Sequence, residues 1–287
     1  GGGGARGFAH LGVLRALEEL GINVDMVGSA SIGAPIAGWL AKGKNAAECL
    51  ELARPAFESL IDVTLPKTAL LAGKKISEMI TQQAAGMDIE DFWIPFFCVS
   101  TNLTASSVEV HRRGSVALAV RASVSIPGVL PPVPRDGDLL VDGGVLNNLP
   151  VDVMREMNPS GLILAIDVVL PHSFSAEEDY GLAVSGWRQL MSGVIPGVSG
   201  KRTPGLANVI VQSMMVGSSQ SREFLLKQGL ADFYQNIHVH DVGILQFESL
   251  EQAQKIGYEE SIGPLKDWLE SLPEVTRLAA APRQTRP

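Results

Sequence analysis

The segment that decides the fold is residues 24–41, which read VDMVGSASIGAPIAGWLA. Its first half is a short apolar run that predicts a buried strand, and residues 36–41 predict a helix. Between them, the small residues Ser29, Ser31 and Gly33 predict a tight turn. A strand that passes through a tight turn into a helix is typical of α/β proteins, and it exposes the turn residues at the end of the sheet.

Apolar runs and helical patterns alternate along most of the chain. This alternation predicts βαβ units and a mostly parallel sheet. Further buried strands are expected at 96–100, 108–111, 139–141 and 162–168. Helices are expected at 10–20, 46–60, 75–84, 116–123, 151–157 and 248–269.

Composition excludes several classes of protein. The 287 residues are 46% hydrophobic and 19% charged, which is enough apolar material for a large core. Length alone allows one or two domains. The net charge of -8 argues against a nucleic-acid-binding domain. The two cysteines exclude a disulfide scaffold and a cysteine-rich zinc site.

Residues 1–10 contain no apolar core of a signal peptide. The longest uncharged run, 26–41, is shorter than the ~20 residues of a spanning helix, so any membrane contact is expected to be peripheral. Residues 171–204 are rich in Ser, Gly and Pro, which predicts a mobile loop or lid. Residues 273–287 are expected to form a disordered tail after a single catalytic domain at 1–272.

A glycine loop, residues 2–7 (GGGARG), precedes the first predicted helix. Uncovered glycine amides at the start of a helix form an anion site. A P-loop would need Gly-Lys-Ser/Thr, which is absent. A dinucleotide fingerprint fits the glycine spacing, but Asp25 precedes the next apolar run, where an acidic residue should end it. An oxyanion hole fits equally well at this stage.

The turn around Ser31 favours nucleophilic catalysis. Gly33 follows two residues later, as in Gly-x-Ser-x-Gly, although Ser29 stands where that pattern has its first glycine. Ser29 itself is expected to be structural. Ser31 on such a turn is therefore a candidate nucleophile that needs a general base.

Asp142 is the best candidate base. None of the five histidines lies in a recognisable motif, and His238 with His240 lacks a third metal ligand. Asp142-Gly143-Gly144 follows the predicted strand 139–141, so its carboxylate should emerge at a strand end. An ordinary Asp-Gly turn would explain it in isolation. Beside Ser31 and the glycine loop, a Ser–Asp dyad is favoured.

Four blocks in this order resemble the patatin-like phospholipase family. The likeness extends from residue 1 to about residue 260, and within the family it is greatest to the catalytic domain of neuropathy target esterase and its bacterial relatives. The blocks are the glycine loop 2–7, the turn around Ser31, Ala122-Ser123-Val124-Ser125-Ile126-Pro127, and Asp142-Gly143-Gly144 within DGGVLNNLP. From its own residues alone, the third block predicts only the end of a helix.

The resemblance implies a three-layer α/β/α sandwich and a role for each motif residue. It implies that Ser31 is the nucleophile and Asp142 the general base, without histidine, metal or organic cofactor. It places the oxyanion amides on Gly3 and Gly4. It implies that Gly2, Arg6 and Gly7 support the oxyanion loop. It also implies that Gly33, Gly143 and Gly144 are glycines of the family motifs.

The implied activity is hydrolysis of acyl esters of phospholipids or lysophospholipids in the cytoplasm or on the cytoplasmic face of a membrane. The resemblance also implies upstream cyclic-nucleotide-binding domains in the full-length protein and a first strand upstream of residue 1. An acyltransferase or neutral-lipid lipase with the same dyad, an inactive lipid-binding module and a nucleotide-binding protein remain alternatives. Candidates for an acyl channel, each of which could equally be a core residue, are Phe57, Leu60, Leu65, Leu70, Leu71, Met79, Ile80, Met214 and Met215.

Overall fold

The structure is a computed structural model that describes residues 1–57, 62, 69–169, 179, 181–185 and 205–274. Most of the expected lid at 171–204 and all but the start of the expected tail at 273–287 lie outside the described residues.

The described residues form an alternation of helices and strands. The α-helices are α1 (Ala9–Glu19), α2 (Gly33–Ala41), α3 (Ala46–Phe57), α4 (Lys74–Ala84), α5 (Val116–Ser123), α6 (Val151–Met157), α7 (Leu206–Lys227) and α8 (Leu250–Ser271). The strands are β1 (Val27–Ala30), β2 (Phe96–Asn102), β3 (Ser107–His111), β4 (Val133–Arg135), β5 (Asp138–Asp142), β6 (Leu164–Asp167) and β7 (Phe233–Asn236).

Strand β2 organises the larger sheet. One of its edges pairs with β3, and the other edge pairs first with β1 and then with β5. β1 runs parallel to β2 and ends with Ala30 opposite Val99, whereas β5 runs antiparallel and ends with Asp142 opposite Ser100. The carboxyl ends of β1 and β5 therefore meet along one edge of the same strand.

Side chains of β2 alternate between two helical layers. Phe96 and Cys98 pack in a cluster with α2, α4 and α5, while Phe97 and Val99 pack on the other face with Val153 of α6. Successive residues of a strand point to opposite faces of a sheet, so the sheet lies between helices on both sides. The predicted α/β/α sandwich is confirmed.

A second core cluster joins α1, α3 and α8 to the two-stranded sheet of β6 and β7. Helices α1 and α8 touch at glycines. A Cβ on Gly12 of α1 would lie 2.0 Å from the carbonyl oxygen of Gln254, and one on Gly257 of α8 would lie 2.0 Å from that of Ala9. Only residues without a side chain allow the backbones to approach this closely.

The sheet is more mixed than the alternation of strands and helices predicts. β1–β2 and β6–β7 are parallel, whereas β2–β3, β2–β5 and β4–β5 are antiparallel. A short connection can join only antiparallel neighbours. The β4–β5 turn consists of Asp136 and Gly137, with φ of 51° and 91°, as a two-residue hairpin of this kind requires.

Three elements have no counterpart among the predictions from sequence. β4 and β7 are three and four residues long, too short to give a clear alternating pattern. Helix α7 contains VIVQSMMVGSSQS, whose β-branched, Ser and Gly residues are poor helix formers. Its inner residues Val211, Met214 and Met215 are buried, so tertiary packing stabilises this helix.

Candidate active site

Ser31 occupies a strained position between β1 and α2. Its φ is 54°, in the left-handed region that few residues other than glycine adopt. The Ser31 amide donates to Ser123 Oγ at 3.0 Å, and Ser123 Oγ–H donates to the carbonyl oxygen of Val99 at 2.8 Å. This chain of bonds fixes the turn to β2.

The Ser31 hydroxyl donates to Asp142 Oδ2 at 2.7 Å, across a sequence separation of 111 residues. Both side chains are buried. The second carboxylate oxygen, Oδ1, accepts the Gly144 amide at 2.7 Å. Burial raises the pKa of Asp142 from its ordinary value of 3.8 to about 7, although the bonds from Ser31 and Gly144 oppose this rise. A carboxylate with such a pKa accepts a proton from an alcohol far more readily than an exposed aspartate does.

The third sequence block, residues 122–127, supports both members of this pair. Ser123 holds the amide of Ser31, as described above. The carbonyl oxygen of Ser125 accepts the amide of Asp142 at 2.9 Å. Ser125 Oγ donates to the carbonyl oxygen of Arg121 at 2.6 Å and also accepts from the guanidinium of Arg121. The sequence of this block predicts only a helix end, because Ser31 and Asp142, which the block contacts, are distant from it in sequence.

The glycine loop is anchored at three points. The Gly2 amide donates to the carbonyl oxygen of Asn148 at 3.1 Å, and the Ala5 amide donates to that of Ile244 at 2.8 Å. Arg6 is buried and its Nε donates to the carbonyl oxygen of Val242 at 2.8 Å. Burial lowers the pKa of Arg6, and its guanidinium supports the loop rather than facing the Asp142 carboxylate.

Gly3 and Gly4 begin the short 3₁₀-helix Gly4–Phe8, so their amides have no partner within it. Within the described ranges, neither amide donates to another residue. Gly4 has a φ of 58° and lines the same cavity as Ser31. Such amides can stabilise a negative oxygen next to Ser31.

The other motif glycines fit into tight spaces. A Cβ on Gly143 would lie 2.3 Å from the carbonyl oxygen of Val99, and one on Gly7 would lie 2.1 Å from Ile32 Cγ2. A Cβ on Gly33 would lie 3.3 Å from Cβ of Ser29, whose buried hydroxyl has no partner among the described residues. Ser29 therefore packs under the turn, as expected of a structural residue.

An apolar cavity of about 700 Å³ opens beside Ser31. Four of the acyl-channel candidates lie on its wall: Leu70, Leu71, Met79 and Ile80. Met214 and Met215 pack in the adjoining core, and the side chains of Phe57, Leu60 and Leu65 lie outside the described residues. Arg54 and Glu251, paired at 2.6 Å, form part of the cavity lining.

The described histidines contact other groups than Ser31. His10 Nε2 lies 2.7 Å from the carbonyl oxygen of Gly1, and His111 Nε2 lies 2.7 Å from Ser100 Oγ. Burial lowers the pKa of His10 to about 3 and of His111 to about 4. Asp25, the acidic residue of the nucleotide-binding alternative, is exposed and precedes β1. In the described part of the chain, no three His, Cys, Asp or Glu side chains are grouped to hold a metal ion.

The fold and the site define an α/β protein with a buried serine–aspartate pair on a strand-to-helix turn. The chain belongs to the patatin-like phospholipase family, whose model matches residues 1–155. The resemblance to this family and to neuropathy target esterase is thereby confirmed.

Three relatives illustrate the similarity. Patatin-like phospholipase domain-containing protein 6 of Mus musculus is 34% identical over an alignment 277 residues long, which covers 93% of this chain and 20% of that protein. Neuropathy target esterase sws of Drosophila melanogaster is 35% identical over 97% of this chain and 20% of its own length. Lysophospholipase NTE1 of Mycosarcoma maydis is 34% identical over 93% of this chain and 14% of its own length. The chain thus spans a fifth or less of these relatives.

Proposed function

We propose that this chain is a serine hydrolase that cleaves acyl esters of phospholipids or lysophospholipids, with Ser31 as nucleophile and Asp142 as general base. The observation that carries the proposal is the 2.7 Å bond from Ser31 Oγ to Asp142 Oδ2 at the wall of an apolar cavity. The names of the relatives, phospholipase, lysophospholipase and esterase, support the same reaction.

The proposed reaction assigns one step to each of these groups. Asp142 Oδ2 takes the hydroxyl proton of Ser31 while Oγ bonds to the acyl carbon, and the carbonyl oxygen becomes an oxyanion. The amides of Gly3 and Gly4 bind that oxyanion. Asp142 then protonates the departing alcohol as the ester bond breaks. Water, deprotonated by Asp142, attacks the acyl-enzyme and releases the fatty acid and Ser31.

The size and lining of the cavity favour a long acyl chain as the part of the substrate that binds there. Its volume of about 700 Å³ lies within the range of ligand pockets. Leu70, Met79 and Ile80 on its wall offer no hydrogen bonds to a polar substrate. Each buried methylene contributes about 0.8 kcal/mol to binding, so the binding free energy of an acyl chain should grow with its length.

The test is to incubate the chain with mixed phospholipids and lysophospholipids and to measure which acyl esters disappear. Ser31→Ala and Asp142→Asn should both abolish hydrolysis while circular dichroism reports an unchanged fold. Ser31→Ala should in addition abolish labelling by a serine-directed phosphonate, because it removes the reactive hydroxyl. Asp142→Asn keeps that hydroxyl. Near-normal turnover of Asp142→Asn would exclude the dyad, and persistent labelling of Ser31→Ala would identify another nucleophile.

Peripheral membrane contact forms part of the same proposal, with the outer face of α7 as the contacting surface. Val209, Val216 and Phe224 lie 41%, 55% and 63% exposed on this helix. They follow a spacing of seven and eight residues, which places them on one face. Residues 206–221 contain no charged side chain, and the exposed Glu223–Lys227 ion pair at the end of the helix adds no net charge to this face. Among the described helices none is both long and apolar enough to span a membrane.

A further inference from the structure

Two adjacent asparagines follow the Asp142 turn, and their side chains have different partners. Asn147 Nδ2 donates to Asp152 Oδ1 of α6 at 2.9 Å. Asn148 Nδ2 instead donates to the carbonyl oxygen of Gly2 at 3.1 Å, and the backbone carbonyl of Asn148 accepts the amide of Gly2. One residue therefore holds both polar groups of Gly2, which directly precedes the proposed oxyanion amides.

The side-chain oxygen of Asn148 lies between the loop and the dyad. The position of a Cβ on Gly2 is 2.5 Å from Asn148 Oδ1 and 2.7 Å from Ser31 Cβ. The position of a Cβ on Gly144 is 2.8 Å from the same Oδ1 and 3.0 Å from Asp142 Oδ1. Asn148 thus packs against Gly2 of the glycine loop and Gly144 of the Asp142 turn, and Gly2 in turn lies next to Ser31.

This oxygen is also buried without a hydrogen-bond partner among the described residues. A buried acceptor of this kind costs about 1–3 kcal/mol, so its presence calls for a reason. Rotating the amide would place its oxygen against the carbonyl oxygen of Gly2, two acceptors in contact. The bond to Gly2 therefore determines which end of the amide faces the Asp142 turn.

We propose that Asn148 is a positioning residue that fixes the glycine loop, and with it the amides of Gly3 and Gly4, relative to Ser31 and Asp142. The inference rests on the proposed function. Asn148 belongs to the same turn as the base, so the base and the oxyanion donors become one rigid unit. The arrangement also explains why Gly2 and Gly144 lack side chains, since either Cβ would displace the amide.

The expected effect is on turnover rather than on substrate binding. Oxyanion donors act only when they lie about 2.7–3.1 Å from the developing charge. A displacement of about 1 Å in a catalytic group can cost about 100-fold in rate. The acyl chain is bound by the cavity, which Asn148 does not line. Loss of Asn148 should therefore lower kcat and leave KM nearly unchanged.

The experiment compares Asn148→Ala and Asn148→Asp with Asn147→Ala. Asn148→Asp keeps the shape of the side chain but cannot donate to Gly2 unless it is protonated. Hydrogen exchange of the amides of residues 3–8 and kcat on a long-chain ester are measured for each. Both Asn148 variants should exchange faster in this segment and lose about 100-fold in kcat. Asn147→Ala should match the unmodified chain in both.

Several outcomes would overturn the inference. One is exchange in residues 3–8 at the original rate in both Asn148 variants. Another is a loss of kcat that only matches the unfolded fraction seen by circular dichroism, or an equal loss in Asn147→Ala. If the unmodified chain hydrolyses no acyl ester, the proposed function fails, and the exchange rates alone still decide whether Asn148 holds the loop.

Discussion

The carboxyl group of Asp142 combines two requirements that oppose each other. To act as the proposed base it must be ionised, yet burial disfavours the ionised form and raises its pKa to about 7. The Ser31 hydroxyl and the Gly144 amide are the two donors that favour the carboxylate. Asp142 is therefore a stronger base than an exposed aspartate, and it still ionises near neutral pH.

Ester hydrolysis should depend on pH through this carboxyl group. The ionised form is the base, so kcat/KM should fall as pH drops below about 7 and reach a plateau above it. The measurement is the rate on a short-chain chromogenic ester across the pH range at constant ionic strength. An unchanged rate down to pH of about 5 would contradict the raised pKa.

Asp142 should also make stability depend on pH. Between its ordinary pKa of 3.8 and about 7, the folded state keeps a proton that the unfolded state has released. The contribution of this residue to stability is then complete below about pH 4 and is lost as pH rises to about 7. The loss is on the order of 4 kcal/mol. Asp142→Asn should abolish it.

Urea unfolding of the two proteins across this pH range provides the check. The stability of Asp142→Asn relative to the unmodified chain should increase steadily between about pH 4 and pH 7. A difference that stays constant with pH would show that Asp142 titrates at its ordinary pKa.

At the level of the elements, the crossing of α1 and α8 depends on Gly12 and Gly257. A Cβ added to either glycine would lie 2.0 Å from a backbone oxygen of the other helix. Backbone atoms cannot give way as a flexible side chain can, so the helices would have to separate. Since the glycine loop leads directly into α1, this crossing also holds the loop in place.

Gly257→Ala should destabilise the protein by about 1–3 kcal/mol, the usual result of overpacking a well-filled core. Gly217 of α7 provides the matched control, because no atom of the described residues lies within 4 Å of its Cβ position. Gly217→Ala should instead stabilise by up to about 1 kcal/mol through helix propensity. Thermal unfolding of both variants distinguishes steric effects from propensity. Equal stabilisation in the two would mean that α1 and α8 are not in close contact.

The strand–turn–helix around Ser31 and the strand end at Asp142 were predictable because each is a local pattern of apolar and small residues. Their pairing as a dyad was favoured from the residues and then implied by the family resemblance, and the pairing of β1 and β5 along β2 gives its physical basis. Ser123 and Asn148 could not be assigned, because their partners are far away in sequence. α7 was missed because packing, rather than propensity, makes it helical.

In the whole molecule, the cavity and the outer face of α7 are the two features expected to meet lipid. The inner face of α7 packs over the Asp142 turn, where Met214 Cε lies 3.4 Å from the Cβ position of Gly144. One helix thus covers the Asp142 turn and presents Val209, Val216 and Phe224 outward. With a net charge of -8, contact with a neutral surface avoids repulsion from anionic lipids.

Narrowing the cavity should shift the preference toward shorter acyl chains. Met79→Trp adds bulk on the cavity wall, so long chains lose contacts worth about 0.8 kcal/mol per methylene that no longer fits. The ratio of kcat/KM for long-chain to short-chain esters is the measurement, and the short-chain rate is the internal control. An unchanged ratio would mean that the acyl chain binds elsewhere.

Replacing Val209, Val216 and Phe224 with Ser should weaken binding to phosphatidylcholine vesicles. These side chains supply most of the exposed apolar surface of α7, and burial of apolar area drives interfacial binding. Cosedimentation measures the bound fraction. Leu103→Ser, at a residue 49% exposed beyond β2, is the control that should bind normally. Undiminished sedimentation of the triple variant would exclude α7 as the contact.

Because β1 and β5 meet along β2, the distance between Ser31 and Asp142 depends on the register of β1 and β5 on that strand. A shift of β5 by one residue would carry Asp142 about 3.4 Å along β2 and turn its carboxylate to the opposite face of the sheet. The Leu103 amide donates to the carbonyl oxygen of Leu139 at 2.9 Å just beyond the paired residues and helps to hold that alignment, although neither residue belongs to the dyad. Inserting one residue into β5 between Leu139 and Asp142 should therefore abolish the proposed hydrolysis, although Ser31 and Asp142 themselves are kept.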